Sequence, residues 1–133
     1  MRYLRVVNVT RDAVLAESAG AATNSKERRT GLLKHTSLAE GEGLWIGPCE
    51  AVHTFGMKFV IDVVFIDRKD RVVKVREGMP RRRISGCFTA ASVLELPAGT
   101  IERTGTARGD QLQLEKLDGL SREGMRAASG VGR

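Results

Sequence analysis

Phe59-Val60-Ile61-Asp62-Val63-Val64-Phe65-Ile66-Asp67, then Arg68-Lys69-Asp70, then Arg71-Val72-Val73-Lys74-Val75-Arg76, is the stretch that decides the fold. Two runs rich in β-branched residues around a short polar turn are what an antiparallel hairpin requires, because valine and isoleucine suit a pleated, half-buried surface. The first arm is apolar on both faces except at Asp62, which marks a central strand covered on either side. On the second arm Arg71, Lys74 and Arg76 share the strand with Val72, Val73 and Val75.

Upstream, Tyr3–Val9 and Ala13–Glu17 read as two short strands around the polar turn Thr10-Arg11-Asp12. A run of small residues, Ala19–Thr23, leads to Asn24, and Glu27 three positions later has the spacing of a reciprocally capped helix start. The helix is expected over about Ser25–Leu33, weakened at Gly31 and burying Leu32, Leu33 and Leu38. Gly41-Glu42-Gly43 turns into a strand at Leu44-Trp45-Ile46, which Gly47-Pro48 stops. Downstream, Gly78–Gly86, with Pro80 and three consecutive arginines, reads as a loop. Ser92–Leu96 is a strand ended by Pro97-Ala98-Gly99, Thr100–Thr104 one helical turn, and Leu112 with Leu114 the last strand after the Gly109-Asp110 turn. Successive short strands without alternating helices predict a mostly β fold, a small antiparallel β-barrel with one short α-helix packed at its side. It fills a single domain over residues 1–116, and the Gly-, Ser- and charge-rich stretch 117–133 is expected to be a flexible tail.

At 133 residues the chain suits one domain, and with only six aromatic residues the core must rest on Val, Leu and Ile. No apolar run is long enough to span a bilayer, and the N-terminus lacks a charged-then-apolar signal pattern. Cys49 and Cys87 could form at most one bridge, so free thiols and a cytoplasmic setting are expected. The net charge of +6 is local. Arg68 to Arg83 holds eight basic residues against two acidic, so the rest of the chain is balanced. Such a run could hold phosphates, and an exposed hairpin edge is open to weak self-association with another chain. No aromatic residue lies between Phe65 and Phe88, and the lack of a stacking surface within the run disfavours single-stranded nucleic acid as a partner.

Candidate chemistry gathers in Cys49-Glu50-Ala51-Val52-His53-Thr54-Phe55-Gly56-Met57, just before the central strand. His53 is the one side chain there whose ordinary pKa lies near neutrality, and Thr54 offers a hydroxyl. A lone histidine is also a common structural residue, bonded to a backbone carbonyl. Cys49, His53, Cys87 and His35 are metal-ligand types, but their spacing is that of no structural zinc motif, and neither a metal nor a cofactor is expected. Asp62, Glu95 and Asp110 are carboxylates set in apolar strands or at their ends, where each needs a partner. Asp62 and Glu95 could pair across a barrel cavity, or each could be held by arginines and backbone amides.

Taken in order, several segments carry a resemblance to a known family. They are Ala22-Thr23, Glu27-Arg28, Gly31-Leu32, Gly41-Glu42-Gly43-Leu44-Trp45-Ile46 and His53-Thr54-Phe55-Gly56-Met57-Lys58-Phe59. The series continues with Ile61–Asp67, Arg71-Val72-Val73, Val93-Leu94-Glu95-Leu96-Pro97-Ala98-Gly99 and Gly109-Asp110. On these, over about residues 4–116, the chain resembles the domain of unknown function 192 family (DUF192), also called uncharacterised protein family 0127. The resemblance implies a small β-rich barrel and leaves the activity open. Many relatives look secreted or membrane-anchored through an N-terminal apolar segment that this chain lacks, which agrees with a cytoplasmic protein. Many also carry an aromatic-Trp-Met-Lys-Asn-Thr pattern near residues 54–59, so Gly56 stands where they have tryptophan.

Three functions follow from these residues. The foremost is a binding module for a small ligand or protein, its site formed by His53, Thr54 and Met57 with Asp62 and Glu95. The second is an enzyme acting on a small anionic substrate, with His53 as acid or base and Arg28, Arg29 or Arg81, Arg82 and Arg83 holding the anion. The third is a basic nucleic-acid-binding protein.

Overall fold

The computed structural model describes residues 2–32, 35–49, 51–54 and 57–117. The hairpin forms as expected. Ile61–Ile66 (β5) is buried at every position, and Val72–Met79 (β6) pairs with it antiparallel. Asp67 closes the turn by accepting the backbone N–H groups of Lys69 and Arg71 at 2.8 and 2.9 Å, while Asp70 takes a left-handed φ of 61°. The other side of β5 pairs with Ser92–Pro97 (β8), so the strand is central, as its two apolar faces require.

The sheet continues from β8 to Glu42–Ile46 (β3), Ala13–Ala22 (β2), Arg2–Asn8 (β1) and Leu112–Lys116 (β9), giving seven strands in the order β6-β5-β8-β3-β2-β1-β9. Every pairing is antiparallel except β2 with β3, which run parallel because the chain crosses over through the helix between them. The sheet curls until its edges meet at one end. An Arg71–Gln111 bridge forms there, with backbone hydrogen bonds of 2.8 Å from Val72 N–H to Asp110 O, Gly109 N–H to Val72 O and Leu112 N–H to Asp70 O.

The strand expected over Ala13–Glu17 forms and continues, as β2, through the small residues Ser18 to Ala22. Ala16, Ala19, Ala21 and Ala22 are all buried there. Alanine is a poor strand former, so propensity does not announce this extension, and burial against neighbours on both faces overrides it. The stretch Gly78–Gly86, expected as a loop, also holds strand at both ends. β6 continues through Gly78 to Met79, and Ile84–Gly86 (β7) pairs with Ala51–His53 (β4) as a second, two-stranded sheet.

The helix Ser25–Thr30 (α1) starts on the cap read from the sequence. Asn24 Oδ1 accepts Glu27 N–H at 2.8 Å, and Glu27 Oε1 returns to Thr23 N–H at 3.2 Å. It ends where Gly31 turns to a φ of 48°, so residues 31 and 32 form a turn and not the helix expected to run to Leu33, which itself lies outside the described residues. A second helical turn, Thr100–Thr104 (α2), sits after β8 where it was expected. The tail expected over 117–133 lies outside the described residues beyond Leu117. Among the described residues, no helix is long and apolar enough to cross a membrane.

Because side chains alternate along a strand, β5 serves two cores at once. Val64 and Ile66 join Val6, Leu15, Leu94, Leu96 and Ile101 on one face. Ile61, Val63 and Phe65 join Leu32, Leu44, Ile46, Val52, Met57 and Val93 on the other. Fully burying one such side chain is worth about 2–3 kcal/mol, so this strand anchors the fold from both sides.

Candidate functional site

Register decides the fate of the two strand carboxylates. Across β5 and β8, Val63 faces Glu95 while Asp62 faces Leu96. Residues one apart point to opposite faces, so Asp62 lies on the face of Leu96 and Ile101, and Glu95 on that of Val63 and Leu44. The pair anticipated across a cavity does not form.

Asp62 is fully buried and fully bonded. Its Oδ1 accepts Gly78 N–H and its Oδ2 accepts Ile101 N–H, both at 2.8 Å. The first bond holds a bulge in β6, where Gly78 adopts a φ of 56°, and the second fixes the start of α2. Asp62 therefore leaves the candidate site, because both its oxygens are used to join secondary structure. Asp110 is likewise structural. Its Oδ2 accepts hydrogen bonds of 2.9 Å from Asn8 Nδ2, Ala107 N–H and Arg11 Nε. Burial pushes this carboxyl up, but the bonds from Arg11, Asn8 and Ala107 and the charge of Arg11 outweigh it, leaving its pKa below the ordinary value.

Glu95 differs from both. Its side chain is buried, and among the described residues its carboxyl meets no hydrogen-bond donor or ion-pair partner. Its cross-strand neighbours are Val63 and Leu44, so loss of water drives its pKa up to about 7. The strand is held close to its neighbour: a Cβ at Gly43 would stand 3.0 Å from the backbone oxygen of Glu95, so glycine is the residue that fits there.

The Glu95 carboxyl lines a pocket of about 500 Å³. Its walls come from four places: Arg28, Arg29, Gly31 and Leu32 around the end of α1, Ile46 at the end of β3 with Pro48 and Cys49 after it, Val52 on β4, and Met57. Gly31 stands directly beside the acid, since a Cβ there would be 4.0 Å from Glu95 Oε1. Arg28 is tethered through Nη1 to the Thr23 carbonyl at 2.5 Å, whereas Arg29 is exposed and has no ion pair among the described residues. The pocket thus combines one largely buried carboxyl without a protein partner among the described residues, an apolar wall and two cations.

Four residues singled out in the sequence, Arg28, Arg29, Met57 and Glu95, converge here. Thr54 does not. It is fully buried, donating through Oγ1 to Pro80 O at 2.6 Å and accepting Arg83 N–H at 2.8 Å, and so clamps the turn between β6 and β7. Arg81, Arg82 and Arg83 are exposed on that turn and take no part in the pocket wall. His53 ends β4 opposite Ile84, and its side chain lies outside the description, as do Phe55 and Gly56. Among the described residues, no three His, Cys, Asp or Glu side chains come together to hold a metal ion. Cys49 belongs to the segment singled out in the sequence, whereas Gly31 was missed as a pocket residue. The sequence signal for Gly31 was a glycine directly after a basic helical turn.

Two solved structures share the fold. One is a Sinorhizobium meliloti 1021 protein provisionally described as a transcription regulator, with a TM-score of 0.74 and 22% identity over 85% of this chain and 92% of that one. The other is a protein of unknown function from Novosphingobium aromaticivorans DSM 12444, with a TM-score of 0.72 and 19% identity over 84% of this chain and 83% of that one. No curated protein matches the sequence. The family model of DUF192, described as "Uncharacterized ACR", matches residues 6–114, nearly all of the strands described above, and the chain belongs to the DUF192 family.

Proposed function

We propose that the protein is a small-ligand binding module whose site is the pocket floored by Glu95 and edged by Arg28 and Arg29. The observation that carries this reading is the buried Glu95 carboxyl, without a partner among the described residues and facing open space. An unmatched buried acid is costly to keep, and a ligand that donates a proton or a positive charge to it recovers that cost. The arginines suit an anionic group at the other end, and the walls of Leu32, Ile46 and Val52 suit a short apolar body. The ligand class is therefore a small zwitterion. A thermal-shift screen of amino acids and amine-bearing phosphates tests this: a hit should vanish in Glu95→Gln and weaken in Arg29→Ala. A hit unaffected by both would place binding elsewhere.

A second reading, an enzyme acting on a small anionic substrate, draws support from the rise of Glu95 to about 7, where a carboxyl can give or take a proton at neutral pH. Glu95 then fills the role first given to His53. Turnover that persists undiminished in Glu95→Gln would refute it.

A further inference from the structure

The basic run lacks an aromatic partner in sequence, but the fold supplies one. Phe88 sits at the tip of the turn Cys87–Ala90, which is closed by Ala90 N–H to Cys87 O at 3.0 Å, and the residue is 98% exposed. This turn is fastened to the end of β5 by Ala91 N–H to Ile66 O at 2.8 Å. The turn after β5 carries Arg68, Lys69 and Arg71, and the two turns together enclose a surface depression of about 710 Å³.

Arg68 and Lys69 are exposed and make no ion pair among the described residues. Arg71 is half exposed, and among the described residues its carboxylate neighbour is Asp67 Oδ2, 3.9 Å away. Asp67 also lines the depression, yet its Oδ1 is occupied by the backbone of its own turn. The depression is thus positive with an unburied aromatic ring in its wall. A phenyl ring held in water beside three cations forgoes its burial energy, and it is well placed to stack on a flat, apolar group that carries negative charge.

We infer that this depression binds single-stranded nucleic acid, with Phe88 stacking on a base and Arg68, Lys69 and Arg71 meeting the adjoining phosphates. Stacking needs an open base face, which a duplex does not offer, and a flat bilayer does not enter a concave site. The surface lies apart from the Glu95 pocket and does not depend on the function proposed for it.

The test is fluorescence anisotropy with a labelled oligothymidylate of about 12 nucleotides, a length within the usual single-strand site size, and the matched duplex, between 50 and 200 mM salt. The single strand should bind more tightly than the duplex, with a log–log salt slope of about −2, since each of three neutralised phosphates contributes about −0.7. Phe88→Ala should lose about tenfold in affinity with the slope unchanged, and Phe88→Trp should bind at least as well as the parent. Lys69→Gln should bring the slope to about −1.4. Because the Phe88 side chain touches little of the protein, its variants should melt like the parent. No binding, equal binding of the duplex, an unchanged affinity in Phe88→Ala, or binding to phosphatidylserine vesicles in place of the oligonucleotide would each overturn the inference.

Discussion

Replacing Glu95 by glutamine should stabilise the protein, and the gain should grow with pH. In the folded chain the carboxyl holds its proton up to about pH 7, against an ordinary value of 4.5. Below pH 4.5 it is neutral in both folded and unfolded chains and costs the fold nothing through its charge. As the pH rises from 4.5 to 7 the unfolded chain ionises freely while the folded one resists, so stability falls across that window and levels off above it. At 1.36 kcal/mol per pH unit the full penalty is about 3 kcal/mol, with about 1 kcal/mol already present at pH 5. Glutamine has nearly the same shape and cannot ionise. Urea unfolding of parent and variant at pH 5 and pH 8 should therefore give a stability gain about 2 kcal/mol larger at the higher pH. At about 4 °C per kcal/mol, the melting temperature at pH 8 should rise by roughly 10 °C. A gain independent of pH, or a loss that deepens as pH rises, would refute the claim that this carboxyl is largely buried and unpaired.

Asp62→Ala should cost at least about 3 kcal/mol in urea unfolding, because it leaves the N–H groups of Gly78 and Ile101 buried without an acceptor; a cost under about 1 kcal/mol would mean these bonds do not hold the bulge and α2. Asp110→Asn should cost about 2 kcal/mol near neutral pH and flatten acid unfolding. The folded pKa of Asp110 lies below its ordinary value, so its contribution is present above about pH 4 and disappears as the pH falls through that folded value. An unchanged acid transition would argue against it. Phe65→Ala should cost about 3–5 kcal/mol by emptying the centre of the second core, as read by the same unfolding curves.

The hairpin was legible because Val63 to Ile66 and Val72 to Val75 combine β-branching with burial, so local preference and tertiary demand agree. The cap at Asn24 was legible for the same reason. Of β2 only the first half, Ala13–Glu17, was legible, because Ser18 to Ala22 gain their strand conformation from neighbours and not from their own preference. The carboxylates show a finer limit. That Asp62 and Glu95 were unusual could be read from their apolar surroundings, but their separation to opposite faces depends on a register offset of one residue, which only strand pairing sets. Likewise Arg28, Arg29, Met57 and Glu95 were each identifiable, yet their convergence depends on the parallel β2–β3 pairing, which no local pattern marks. Phe88 stands outside the basic run in sequence and reaches it only because its turn is fastened to the end of β5.

The reading of the pocket depends on Glu95 being a largely buried carboxyl without a protein partner. Carbon-detected NMR titration of the side-chain carboxyls, with Glu95→Gln to assign the resonance, measures this directly. A Glu95 midpoint close to 7 is expected. A midpoint at the ordinary value of about 4.5 would mean that the group is solvated or paired, and the pocket as described would lose its floor.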